Sequence, residues 1–204
     1  MIDLPDNRIV LASASTTRHN ILTAAGVPHI VDSPEVDECE IKSVLRARNT
    51  SGLEIAKALA IAKAMSVSSK YSSAMVLGAD QVLQCGGETL DKPVDRNDAL
   101  RQLRLLRGKT HKLISCAAIV CEGIKIWVAE DTAKLVVRKN ASDGFLDEYL
   151  STVGTEALQG PGGYRVEARG AQLFSRIDGS HFTILGLPLL PLLDYLRKNG
   201  VLRV

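Results

Sequence analysis

Short apolar runs alternate along this chain with longer segments of helical spacing, and their order predicts an α/β protein. Arg8 to Ala12 reads as a short buried strand, followed at once by the hydroxyl-rich turn Ser13-Ala14-Ser15-Thr16-Thr17. A helix then runs to about Ala25, with Gly26 and Pro28 as its stop signals. Glu35 to Glu40 reads as an acidic loop, and Leu53 to Met65 as an alanine-rich helix of high propensity. Ala74 to Ala79 is an apolar strand ending on Asp80, with Gly86-Gly87 placed to turn a hairpin just beyond. Asp95 is positioned to N-cap a helix that presents Ala99, Leu100, Leu103 and Leu106 on one face. His111 to Cys121 and Ile126 to Val137 read as two long strands joined around Gly123, and Ser142 to Thr152 as an amphipathic helix. A glycine-rich segment, Gly160 to Gly170, leads into a strand at Gln172 to Ile177, and a last helix from about Leu189 to Asn199 stops at Gly200. No repeat, linker or low-complexity stretch divides residues 1–204, so a single domain with a mixed sheet is expected.

Composition narrows the function classes. With 25 Lys plus Arg against 23 Asp plus Glu the formal charge is +2, and both signs are scattered. A nucleic-acid-binding module normally carries a basic stripe, and aromatic residues at 4% leave little for base stacking, so neither DNA nor RNA is the expected partner. The opening Met1-Ile2-Asp3-Leu4-Pro5-Asp6 has acids where a secretory signal has bases. The greasiest run, Ile184 to Leu193, is too short to span a bilayer and contains Pro188 and Pro191. Cys39, Cys85, Cys116 and Cys121 form no CxxC pair, which fits free thiols in a reducing compartment. The expected location is cytoplasmic, with no membrane partner; a homodimer is left open.

Three features could carry chemistry. The strand-to-helix turn from Ser13 to Arg18 offers unpaired N–H groups, hydroxyls and a cation in the first helical turn, where a cation opposes the helix dipole unless an anion is bound. Plain N-capping by Ser15 or Thr16 is the alternative. Asp80, in Gly78-Ala79-Asp80-Gln81, stands where open α/β sheets place their ligands, and could hold Mg²⁺, act as a base towards water, or simply cap a turn. Lys63, Lys92 and Glu38 read singly as solvated surface charges; in combination they suit the oxygens and metal of a triphosphate. Gly108-Lys109-Thr110 lacks the upstream glycine of a P-loop, since Leu103 occupies that place, and Gly160-Pro161-Gly162-Gly163 lacks the dinucleotide fingerprint. His111 and His181 stand alone in strand-like contexts and read as structural, and no Ser-His-Asp set can be assembled.

In order and spacing, the chain resembles the Maf-type nucleotide pyrophosphatases over nearly its full length. The matching stretches are Leu11-Ala-Ser-Ala-Ser15 with Arg18, Val36-Asp-Glu38, Ala60-Ile-Ala-Lys63-Ala64, Gly78-Ala-Asp80, Lys92-Pro93, Gly108 with His111, and Gly186-Leu-Pro188-Leu189. The resemblance implies an elongated, two-lobed Maf/ITPase-like α/β fold, a twisted mixed sheet with a deep cleft. It also implies hydrolysis of nucleoside triphosphates to the monophosphate and pyrophosphate with a divalent metal, Mg²⁺ or Mn²⁺. Carried over by position, Asp80 would be the proton acceptor, Glu38 a catalytic acid acting through the metal, and Glu38 with Asp80 the metal ligands. Ser13, Arg18, Lys63 and Lys92 would hold the phosphates.

The departures bear on substrate. The family's Ser-x-Ser-Pro-Arg-Arg is here Ser13-Ala-Ser15-Thr16-Thr17-Arg18, with Thr17 in the place of an arginine, and Gly160 stands where a lysine is common. Gln81 and Glu167 resemble the subgroup acting on 7-methyl-GTP, and both, with Thr17, are expected among the substrate-binding residues. A carboxylate at Glu167 suits a guanine N1–H and amino group. The same subgroup has Trp where Thr17 stands, and threonine gives a cationic methylated base no aromatic face. The implied function is therefore a pyrophosphatase for modified or non-standard triphosphates. The alternatives are a preference for 7-methyl-GTP, or a nucleotide-binding regulator of division that has lost turnover.

Overall fold

The computed structural model describes residues 8–71 and 73–204; the acidic N-terminal hexapeptide lies outside them. The elements are β1 (Ile9–Ala12), α1 (Thr16–Ala24), β2 (His29–Asp32), α2 (Glu38–Ala47), α3 (Gly52–Ser68), β3 (Val76–Cys85), β4 (Glu88–Leu90), α4 (Arg96–Leu106), β5 (Thr110–Cys121), β6 (Ile124–Val137), α5 (Asp143–Val153), β7 (Phe174–Asp178), α6 (His181–Ile184) and α7 (Leu189–Lys198). The strand order is β2-β1-β3-β5-β6-β7, with β4 paired to β3. Pairing is parallel for β1 with β2 and β3, and antiparallel for β3 with β4 and β6 with β7. This is the mixed α/β sheet that the apolar pattern predicts.

The chain forms two compact units. The first takes the described residues up to Gln81 with Ile114–Asp131 and His181–Val204, and the second Val82–Leu113 and Thr132–Ser180. In the first unit β1 is buried along its whole length, and strand alternation sends its side chains to two separate cores. Ile9 and Leu11 join Leu77 and Ala79 under α1 and α7, with Leu22, Leu187, Leu192 and Leu196. Val10 and Ala12 join Val76, Ala64 and Val67 under α3. In the second unit the turn Gly86-Gly87 closes the β3–β4 hairpin with both residues at positive φ, the geometry that glycine supplies most readily. Asp95 caps α4, accepting from the Asp98 N–H at 2.7 Å, and Ala99, Leu103 and Leu106 are buried as their spacing predicts.

Three sequence expectations are corrected. The expected acidic loop Glu35–Glu40 ends as the start of α2, because Asp37 caps it by accepting from the Glu40 N–H at 2.9 Å. The strand expected to finish at Asp80 continues to Cys85, since β4 pairs with its last three residues. His181 opens the short helix α6 and does not lie in a strand. In addition, β2 had no apolar alternation to announce it: it is four residues long, begins with His29 and ends with Asp32.

Helix α3 lies unusually close to β3. A methyl group added at Gly78 would stand 2.1 Å from the Ala60 carbonyl oxygen and 2.8 Å from the Ala64 nitrogen. Only a residue without Cβ fits this seam. Gly78→Ala is expected to cost about 1–3 kcal/mol through forced separation of helix and strand, read as a lower midpoint in urea unfolding.

Candidate functional site

Parallel pairing of β1 with β3 ends at Ala12 opposite Gly78. Two residues further on, Asp80 leaves β3 on the face covered by α3, beside the point where the chain departs from β1 into Ser13. The seam at Gly78 brings α3 within reach, and Lys63 Nζ meets Asp80 Oδ1 at 2.6 Å. The same nitrogen lies 2.8 Å from Glu38 Oε1, carried by the first turn of α2. Lys63 and Asp80 are nearly sealed, each with 8% of its side chain exposed, whereas Glu38 keeps 40%. Lys63 is therefore a buried bridge between two carboxylates and not the solvated charge it resembles in isolation. Neutralisation by one ammonium is what permits Asp80 to sit inside a strand.

The turn after β1 holds the cationic half of the site. Ser15 caps α1 by accepting from the Arg18 N–H at 3.3 Å. Ser13 Oγ, nearly buried, accepts from the Ser15 N–H at 3.2 Å and from Arg18 Nη1 at 3.3 Å. Both bonds use the oxygen as acceptor, so its own proton is available to donate to an anion. Arg18 Nε donates to the Gly186 carbonyl at 2.9 Å. Gly186 adopts a positive φ, and a Cβ there would lie 3.3 Å from Arg18 Nη2. Burial pulls the Arg18 guanidinium below its ordinary value, and the charges of Asp80 and Glu38 act in the opposite direction. Arg18 remains a cation at any ordinary pH.

Ser13, Arg18, Glu38, Lys63 and Asp80 thus belong to the first unit and gather around β1 and β3. Thr17 lies half-buried in the first turn of α1. Gln81 also belongs to this unit, but on a strand it points to the opposite face from Asp80; its Nε2 donates to Ser115 Oγ and to the Thr183 and Ile184 carbonyls. Lys92 and Glu167 belong to the second unit. Lys92 is exposed in the segment after β4, ahead of the buried Pro93. Glu167 Oε1 accepts from Arg165 Nε at 2.9 Å, while Arg165 Nη1 reaches Glu156 at 2.7 Å. His111 is buried in β5, its Nε2 lies 2.7 Å from the Tyr164 hydroxyl while its Nδ1 is buried without a hydrogen-bond partner among the described residues, and burial pushes its imidazole down to about 4. The four cysteines are free.

Sequence reasoning missed the roles of Gly186, Ser115 and Thr183. Gly186 appears in it only as part of a matching stretch, and a carbonyl acceptor leaves no side-chain signature. Among the described residues, no helix is long and apolar enough to cross a membrane, and no three His, Cys, Asp or Glu side chains converge as a metal cluster.

The Maf-like protein family matches residues 8–199. A nucleoside triphosphate pyrophosphatase of Paramagnetospirillum magneticum is 44% identical over 95% of this chain and 99% of its own. One of the same name from Caulobacter vibrioides is 44% identical over 96% and 98%. A 7-methyl-GTP pyrophosphatase of Rhizobium meliloti is 41% identical over 95% and 97%. Among solved structures, a nucleoside-triphosphatase (dITP/XTP pyrophosphatase) of Mycobacterium abscessus aligns with a TM-score of 0.36 at 17% identity, over 65% of this chain and 74% of that one. Nearly the whole chain is covered by the family match and by relatives well above 30% identity: it belongs to the Maf-like protein family.

Proposed function

We infer that this protein hydrolyses nucleoside triphosphates to the monophosphate and pyrophosphate. The observation that carries the reading is the Lys63 bridge between Glu38 and Asp80, set beside Ser13 and Arg18 at the start of α1. The names of the relatives on both sides of the family support the same reaction class.

In the proposed mechanism Ser13 and Arg18 bind the phosphate oxygens together with the N-terminal N–H groups of α1. Lys63 holds Asp80 by Oδ1, which fixes the carboxylate and directs Oδ2 to the attacking water. Asp80 accepts the water proton as the new P–O bond forms, the α–β phosphoanhydride bond breaks, and pyrophosphate leaves with the bonding electron pair. The carboxylate oxygens of Glu38 and Asp80 are hard donors of the kind that would hold Mg²⁺ or Mn²⁺. When bound there, such a cation would neutralise triphosphate charge and polarise the phosphoryl group. By its place in the family pattern, Lys92 would be a further phosphate-binding cation.

Base preference is assigned to Glu167, whose carboxylate is oriented by its ion pair with Arg165. A guanine edge offers it two N–H donors, which a pyrimidine edge does not match. A substrate panel tests both levels. Pyrophosphate release should be measured with Mg²⁺ over canonical, non-standard and 7-methylated triphosphates. Guanine-type triphosphates are expected to lead, and Glu167→Gln should lower their advantage about tenfold, roughly the worth of one lost charged hydrogen bond. Binding without release from any member of the panel would instead make the protein a nucleotide-binding regulator. A 7-methyl-GTP optimum would favour the narrower reading.

A further inference from the structure

A second polar network lies on the face of the sheet opposite Asp80, and the mechanism above does not use it. Its centre is the Thr183 carbonyl oxygen in α6. That atom accepts from Gln81 Nε2 at 2.8 Å, from Ser115 Oγ at 2.8 Å and from the Gly186 N–H at 3.0 Å. Gln81 Nε2 also donates to Ser115 Oγ at 3.0 Å and to the Ile184 carbonyl at 3.1 Å. The Thr183 hydroxyl donates to Asp131, and Ser115 and Thr183 are fully buried. Every Nε2 contact of Gln81 is thus internal, and two of the three go to the main chain of α6.

The network has a direction. Gln81 fixes the Thr183 carbonyl, the Gly186 N–H closes on that carbonyl, and the Gly186 carbonyl receives Arg18 Nε. Gly186 accommodates the tight turn through its positive φ, so little slack separates the two ends. We propose that Gln81 is a positioning residue for Arg18, setting through Thr183 and Gly186 the direction in which the guanidinium meets the phosphates. This rests on the reading that Arg18 binds the triphosphate. It gives Gln81, read from sequence as a substrate-binding residue, a positioning role that is blind to the base.

A double-mutant cycle separates these roles. Values of kcat and KM are measured over the base panel for the wild type, Gln81→Met, Arg18→Ala and the double variant, with inorganic tripolyphosphate as a base-free inhibitor. Gln81→Met keeps the side-chain length without the donors. It is expected to lower kcat/KM about tenfold for every base alike, mainly through KM, and to weaken tripolyphosphate to the same extent. In the Arg18→Ala background that penalty should vanish. Ser115→Ala, which removes one donor to the same carbonyl, should repeat the pattern at about threefold and decides the matter should Gln81→Met fail to fold. A penalty that persists without Arg18, or that differs from base to base, would overturn the assignment. An Arg18→Ala protein with undiminished affinity for tripolyphosphate would overturn the phosphate role of Arg18, and this assignment with it.

Discussion

Asp80→Asn is expected to lower kcat by about 10²- to 10⁴-fold, the range of a lost general base. Asparagine preserves the size of the side chain and offers a carbonyl oxygen to Lys63, so the fold around β3 should persist. What it cannot do is take a proton from water. Triphosphate binding should change far less than turnover, because the proposed mechanism gives the phosphates to Ser13, Arg18 and the start of α1. Stopped-time pyrophosphate assays, paired with calorimetric binding of a non-hydrolysable triphosphate, measure the two quantities separately. Turnover within threefold of wild type would remove Asp80 from the role of base.

Lys63→Met is expected to damage both stability and activity. Lys63 Nζ serves two carboxylates, at 2.6 and 2.8 Å, and its removal leaves Asp80 buried without a contacting cation, with only the Coulombic attraction of Arg18. Breaking one side of a buried pair costs about 3–5 kcal/mol, and the lower end applies here because Glu38 stays largely solvated. The double variant Lys63→Met/Asp80→Asn should recover much of the lost stability, since no buried charge remains, while staying inactive. Urea unfolding of the three variants checks this. Equal stability for Lys63→Met and wild type would mean that water reaches Asp80 freely.

Much of this was legible in the residues, and the illegible part has physical causes. Strand β1, helix α3 and the Asp95-capped helix α4 follow from burial pattern, propensity and capping, which act over short stretches of chain. Helix α2 escaped because none of its residues is fully buried and its charges masked the spacing of Ile41, Val44 and Leu45; the Asp37-to-Glu40 cap was the available signal. In the site, the residue types of Asp80, Lys63 and Arg18 pointed to phosphate chemistry, but the burial of Lys63 could not be seen. That depends on Gly78 lying against Ala60 and Ala64, a meeting of residues fourteen or more positions apart in sequence. Nor could the sequence show that neighbours Asp80 and Gln81 turn to opposite faces of the sheet, one to Lys63 and one to Ser115 and the main chain of α6.

The seam at Gly78 works as a gauge block. Lys63 sits on the turn of α3 between Ala60 and Ala64, the two residues whose backbone atoms set the gap to β3. The spacing is therefore defined at the very turn that carries the ammonium, and only the lysine stem lies between the seam and the two carboxylates. A methyl at the seam should shift the ammonium relative to both carboxylates, so activity is expected to respond to that seam as well as stability.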